Sequence, residues 1–445
     1  MKWSCVVCGV VFSALVLATQ GILDHRTVYP QPEQIHLSYG AAPDQMVVTW
    51  VTLDEAGTAT VNYGEGKLDQ TQYGKTTVFT DGGTEKRVLY IHRVLLSGLK
   101  LGHQYTYRCG SNAGYSSLFT FRAMKGGSDW SPQLAVFGDL GNENPRALPY
   151  LQEEAEAGHF DAIMHVGDFA YDFDTDNARL GDEFMRQLEP VAAMVPYMVC
   201  VGNHENAYNF SNYRNRFTMP GGDGEGMYFS WNIGPAHIIS FSTEVYYYGV
   251  STENIRAQYE WLEKDLQAAN LPGNRAARPW IIVMGHKPMY CSNMGEEALC
   301  DNVNNPIRNG NKYYPASLEE LFYKYGVDLE FYAHEHSYER LWPVYKNKIC
   351  NGSIDKPYVN PQAPVHIVTG SAGDTEGQTK FEHTLFPWTA FHTDDYGYTR
   401  VTVQNTTHLY LEEMSVDKKG AVIDKAWIVR DSHSAGQFNC QAVPR

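Results

Sequence analysis

Five short polar runs in this chain each follow directly on an apolar run. "GDLG" (138–141) comes after "QLAVF", "GDFAYD" (167–172) after "DAIMHV" and "GNHE" (202–205) after "PYMVCV". "GH" (285–286) comes after "PWIIVM" and "HEHSYER" (334–340) after "VDLEFYA". One Gly-Asp or Gly-Asn pair is an ordinary turn. Five in register with five buried runs deliver Asp139, Asp168 with Tyr171, Asn203 with His204, His286, and His334 with His336 to the ends of strands. In open α/β sheets the carboxyl ends of strands are where ligands bind. Aspartate and tyrosinate are hard oxygen donors suited to a highly charged ion, whereas an amide carbonyl and imidazoles suit zinc, manganese or ferrous iron. So mixed a set fits two ions better than one. A carboxylate bridging them would hold them ~3.5–4 Å apart, the spacing that serves in-line displacement at phosphorus.

The elements that must position these residues follow from the pattern around them. After Pro132 the apolar runs alternate with helical patterns, among them "ALPYLQEEAEAG", "ARLGDEFMRQLEPVAAMV", "NIRAQYEWLEKDLQAAN" and "SLEELFYKYG". Buried runs between amphipathic helices predict an α/β layered domain over 131–445, two packed mixed sheets flanked by helices. From about 362 the chain is strand-rich again ("PVHIVTG", "YGYTRVTVQ", "HLYLEEMSV", "VIDKAWIV"), which we read as a second sheet of the same domain. Residues 25–125 are different. "QIHLSYG", "QMVVTWVT", "TATVNYG", "RVLYIHRVLLSGL", "QYTYRCG" and "SLFTFRA" are short strands punctuated by Gly, Asp and Asn. They predict an all-β sandwich of about seven strands. Its "LSGLKLGHQYTYRCG" resembles a corner of a fibronectin type III domain. "MKGGSDWSP" (124–132) reads as the linker between the two domains.

Composition bounds the function. The chain has 445 residues, 43% hydrophobic and 19% charged, with a formal net charge of −16. Nucleic acid is therefore excluded as a default partner, because phosphate-backbone binders need a basic face. A small anionic substrate stays compatible, since a metal site reverses the local field. The opening "MKWSCVVCGVVFSALVLATQG" (1–21) has the lysine, apolar stretch and small residues of a signal peptide. It predicts a secreted protein, extracellular or lysosomal, with no membrane contact once the signal is removed. Cys5 and Cys8 leave with it. Six cysteines remain, with Cys291 and Cys300 close enough to pair and Cys200 reading as a buried free thiol. The sequons at Asn209, Asn351 and Asn405 predict glycosylation. Ser371 in "VTGSAGD" follows a strand but lacks the G-x-S-x-G elbow of a serine hydrolase, so it reads as part of a glycine turn. No Walker A loop and no G-x-G-x-x-G after a strand is present, so nucleotide cofactors are not implied. The sequence carries no signal for an oligomeric state.

In order and spacing, the five blocks resemble the purple acid phosphatases within the wider metallophosphoesterase superfamily. That family's pattern is G-D-x-G, G-D-x-x-Y, G-N-H-E, V-x-x-H and G-H-x-H. This chain reads Gly138-D-L-G, Gly167-D-F-A-Y, Gly202-N-H-E, Val283-M-G-H and Ala333-H-E-H. The resemblance implies a ferric ion on Asp139, Asp168, Tyr171 and His336. It implies a divalent ion, zinc before manganese or iron, on bridging Asp168, Asn203, His286 and His334. Tyrosinate-to-iron charge transfer would colour the protein. His204 would lie beside the substrate phosphate, and Glu205 is either an acid behind the ligands or a turn-stabilising carboxylate. Two such ions, three anionic ligands and a bridging hydroxide leave the centre at about +1. The implied activity is hydrolysis of phosphate monoesters at mildly acidic pH by a metal-activated hydroxide. The alternatives are a phosphodiesterase or pyrophosphatase on the same centre, or a non-catalytic secreted binding protein. One departure concerns the proton for the leaving group. Family members commonly carry a histidine in the loop after the fourth block, but "KPMYCSNMGEEALC" (287–300) has none. Glu296, with Glu297 beside it, is the expected substitute, or His204 acts alone. Ala333 replaces a frequent glycine, one small residue for another.

Overall fold

The computed structural model describes residues 30–248, 251–293, 300, 304–381 and 385–440. The expected signal peptide (1–21), Glu296 and Glu297 lie outside the described residues.

The first described unit is all-β. One sheet orders Glu33–Tyr39, Met46–Thr52, Val88–Leu96 and Lys75–Thr80; the other is built on Thr60–Gly64 and Gln104–Ser111. Their facing side chains, among them Leu37, Val48, Trp50, Val61, Tyr107 and Phe121, are buried. The Lys100 amide donates to the Tyr105 hydroxyl (2.9 Å) and so pins the corner before Gln104–Ser111. Gln70–Tyr73 and Lys75–Thr80 are strands that the sequence pattern does not announce. The first is polar and the second carries only adjacent Val78 and Phe79, and both are almost wholly exposed, so no alternation of apolar residues marks them.

The larger unit holds two mixed sheets. The first runs Tyr197–Cys200, Ala162–Val166, Gln133–Phe137, Gly397–Thr402, His408–Ser415 and Ala421–Val429. The second runs Phe229–Ile233, Ala236–Ser240, Trp280–Met284, Leu329–Tyr332, Val365–Thr369, Tyr338–Leu341 and Thr389–Thr393. Within each, the strands that precede the polar blocks pair parallel. These strands are covered on both sides, which is why they read as unbroken apolar runs. Val136, Met164 and Met198 meet Ile238, Ile282 and Phe331 between the sheets. On the outer faces Ala135, Ile163 and Val199 pack under the helices Leu148–Glu156 and Thr175–Ala192. Ile281 and Val283 pack under Thr252–Ala269 and Leu318–Tyr325.

The C-terminal strands do not form the sheet of their own that the sequence suggests. Gly397–Thr402 adds antiparallel to Gln133–Phe137, carrying His408–Ser415 and Ala421–Val429 with it. Val365–Thr369 instead enters the second sheet beside Leu329–Tyr332. Each addition satisfies a strand edge that would otherwise present unpaired amides and carbonyls. The sandwich is bonded onto the α/β unit through Tyr107, whose hydroxyl donates to the Ala193 carbonyl (2.7 Å), and through buried His36, bonded to the Arg216 carbonyl (3.1 Å). Among the described cysteines, Cys291–Cys300 and Cys350–Cys440 are disulfides, and Cys109 and Cys200 are buried free thiols.

Candidate metal centre

The two parallel cores end side by side. The Gly138 amide, just past Gln133–Phe137, donates to the Thr369 carbonyl of the other sheet (2.8 Å). A Cβ on Gly138 would stand 2.4 Å from the Ala333 Cβ, so only glycine lets the sheets approach this closely. Gly167 has φ +82°, and a Cβ there would sit 2.6 Å from His286 Nδ1. The turns beyond are unusual for side-chain-bearing residues. Asp139 (φ 58°), Asp168 (53°), Tyr171 (52°) and His334 (69°) all adopt left-handed backbone. Such conformations cost on the order of 1–3 kcal/mol each and persist where the surroundings impose them, commonly at functional sites.

What these turns bring together is two nests of donor atoms. In the first, the Tyr171 hydroxyl lies 3.3 Å from Asp139 Oδ1 and 2.9 Å from His336 Nε2, and His336 Nε2 lies 3.8 Å from Asp139 Oδ1. In the second, His286 Nε2 lies 3.0 Å from Asp168 Oδ2 and 3.1 Å from Asn203 Oδ1. A ligand atom of His334 falls within 4.8 Å of those of Asp168 and His286. Donors that share one ion at ~2.0–2.2 Å stand about 3 Å apart, so each nest has the dimensions of a coordination shell. All seven residues expected as ligands gather at this one junction of the two sheets.

The electrostatics fit cations. Burial and the charges of Asp168 and Asp374 push the Asp139 carboxyl well up. Burial also works against ionised Asp168, but the facing imidazoles of His286 and His204 outweigh it and hold that carboxyl low. Of the two acids, Asp139 is therefore the harder to ionise. Burial and the same acids push the Tyr171 phenol up. A cluster of buried oxygens that repel one another is what a multivalent cation relieves. Burial and nearby Lys287 push His334 well down, leaving a neutral imidazole with a lone pair to give. The donor set therefore fits two ions, one on the oxygen-rich nest and one on the imidazole–amide nest.

Further residues hold this shell, and most of them carry little signal in the sequence. Glu205 accepts from the amides of Asp168 (3.1 Å), Phe169 (2.9 Å) and Gly202 (2.8 Å), so it ties the second polar block to the third. Of the two roles open to it from sequence, the turn-stabilising one is what its geometry displays. His336 Nδ1 donates to the Gly377 carbonyl (2.7 Å), with Asp374 Oδ2 3.2 Å from the same nitrogen. A carboxylate and a carbonyl behind an imidazole fix its tautomer and orientation. Asp374 follows a sixth strand end, that of Val365–Thr369, in the loop that reads from sequence as a glycine turn around Ser371. Ser371 itself is buried, and its hydroxyl makes no hydrogen bond. The available signal for Asp374 is its place shortly after a sixth apolar run, like the other five.

His204 is bracketed by carboxylates. Its Nδ1 lies 2.6 Å from Asp172 and its Nε2 lies 3.5 Å from Glu376. Its ring centroid is 4.3 Å from that of Tyr171, so it stands over the first nest without entering either. Burial alone would lower its pKa, but the Asp172 hydrogen bond and the charges of Asp168 and Asp172 raise it to about 10. Asn209 and Asn405 are exposed and Asn351 is half-buried.

Comparison with known proteins agrees with this geometry. The family model described as calcineurin-like phosphoesterase matches residues 132–338, that of the purple acid phosphatase N-terminal domain matches 32–123, and that of the iron/zinc purple acid phosphatase-like protein C matches 363–425. Acid phosphatase type 7 of Mus musculus is 52% identical over 95% of this chain and 97% of its own length. Its counterpart in Danio rerio is 54% identical over 91% and 92%. The chain belongs to the purple acid phosphatases. It is a metallophosphoesterase, a phosphatase whose all-β domain precedes the α/β unit. A more distant member, the Fe(3+)-Zn(2+) purple acid phosphatase 12 of Arabidopsis thaliana, is 28% identical over 89% of this chain and 84% of its own. Among solved structures, a purple acid phosphatase from yellow lupin seeds superposes with a TM-score of 0.76 at 25% identity, covering 90% of this chain and 75% of the other.

Proposed function

We propose that this phosphatase hydrolyses small phosphate monoesters at mildly acidic pH, with a ferric ion in the Asp139–Asp168–Tyr171–His336 nest and a divalent ion, zinc first, in the Asp168–Asn203–His286–His334 nest. The observation that carries the reading is the pair of neighbouring nests, one with a phenol oxygen and the other with Asp168, an amide and imidazoles, the Asp168 charge acting on Asp139 and Tyr171 of the first. The iron–zinc name of the Arabidopsis relative supports the same metal pair. Bound there, the ions supply Lewis acidity and make water a nucleophile below neutral pH.

The chain's own residues do the rest. Asp168, held low by its imidazole neighbours, stays an anionic ligand at acidic pH. His204, raised to about 10, is an imidazolium that donates to a phosphoryl oxygen, while Asp172 on Nδ1 keeps Nε2 turned into the cleft. Fixed donors at a site of developing charge stabilise the transition state. The leaving alkoxide takes its proton from Glu296 or from His204. Turnover of Glu296→Gln across pH decides between them: a lower rate with a changed alkaline limb assigns Glu296, an unchanged profile and rate assigns His204.

We further propose that the leader 1–21 directs the protein out of the cell, or to lysosomes, with glycans on Asn209, Asn351 and Asn405. Among the described residues no helix is long and apolar enough to cross a membrane. The net charge of −16 argues against nucleic acid as a substrate. Elemental analysis and a visible spectrum of secreted protein, with parallel assays on a monoester and a diester, test the whole reading. Two ions per chain, a tyrosinate–iron band and preference for the monoester are expected. Colourless, metal-free protein that still cleaves phosphate esters would overturn it.

A further inference from the structure

The segment 287–300, which lacks the family's histidine, begins with a lysine directly after His286. Lys287 is 1% exposed. Lysine is rarely buried this fully, because its ammonium normally extends to water. Here the backbone holds it inward, with the Lys287 amide donating to Thr243 Oγ1 (3.0 Å). Its Nζ lies 3.1 Å from His334 Nε2 and 5.1 Å from the centre of the Tyr247 ring. The ammonium therefore lies beside the imidazole side of the centre. His204, against Tyr171, supplies a cationic group over the oxygen-donor side. Wholly buried Glu244 lies within the field of Lys287, which makes a counter-charge role the rival explanation.

We infer that Lys287 is a phosphate-binding residue of this centre, holding a phosphoryl oxygen of substrate and product from the imidazole side. This rests on the phosphatase reading above. A lysine serves phosphate as a compact point charge with three donors, and in a closed cleft such a charge-assisted bond is strong. The positive group absent from the middle of the segment is thus supplied at its first residue.

Calorimetric titration of the full-length, metal-loaded protein with inorganic phosphate, alongside metal content per chain, tests the inference. Lys287→Met is expected to keep two ions and to bind phosphate about 10-fold or more weaker, with kcat/KM falling in step. Lys287→Arg should recover most of the affinity. Phosphate binding by Lys287→Met at the wild-type affinity would overturn the inference, and so would loss of metal in proportion to lost phosphate binding. If Lys287→Met does not fold, the double variant Lys287→Met/Glu244→Gln removes both buried charges and is read by the same criteria. Wild-type protein that binds no metal and hydrolyses no ester overturns the phosphatase reading first. Wild-type protein that does both, beside an unaffected variant, overturns only the role of Lys287.

Discussion

The two sheets of the α/β unit contribute chemically different halves of one centre. Turns after the first sheet present Asp139, Asp168, Tyr171 and Asn203, all oxygen donors. Turns after the second present His286, His334 and His336, all nitrogen donors. Neither half completes a nest. Tyr171 and Asp139 need His336 across the cleft, and Asp168 and Asn203 need His286. The acids of the first half repel one another, while the second half offers neutral imidazoles such as His334. The centre is thus an interface between two sheets, and the spacing of its donor atoms is set by how closely they pack at Gly138 and Ala333.

The sharpest way to break this arrangement is Asp168→Ala, because Asp168 faces both halves. Loss of both ions and a fall in rate of at least about 10³-fold are expected, checked by elemental analysis with single-turnover assays. Two variants should separate the halves. Tyr171→Phe is expected to abolish the visible band while leaving the divalent ion bound. His286→Ala should release the divalent ion with the iron retained, as read by spectrum and metal content. Equal loss of both ions in either variant would mean the nests form as one cooperative unit. The smallest effect belongs to support behind the ligands. Asp374→Asn should loosen His336 and weaken iron retention about 10–100-fold, measured by competition with a chelator, without shifting divalent affinity.

Much of the centre is legible in the order of residues alone. The five polar blocks, their apolar leads and their residue types point to ligands at strand ends, because a doubly covered parallel strand must be apolar throughout and can turn polar only where it leaves the sheet. Asp374 and Lys287 are less legible. Asp374 sits in a loop where the serine is the more conspicuous residue, and its pairing with His336 is a contact across thirty-eight residues' separation in sequence (336 to 374). Lys287 looks like any surface lysine in sequence, and only the burial of its side chain against His334 marks it out. The strand-rich tail is recognisable as strands, but its partners are not. An apolar alternation says which face is buried and is silent on which edge will bond to it.

The sequence by itself determined what kinds of donor atoms the chain carries and that each sits just past a buried strand, since side-chain chemistry and hydrophobic period are local properties. Tertiary structure alone decided that oxygens from one sheet meet nitrogens from the other, that Glu205 ties two turns together, and that Lys287 faces inward. These depend on contacts between residues far apart in the chain, and such contacts exist only once the two sheets have packed and water has been expelled from between them.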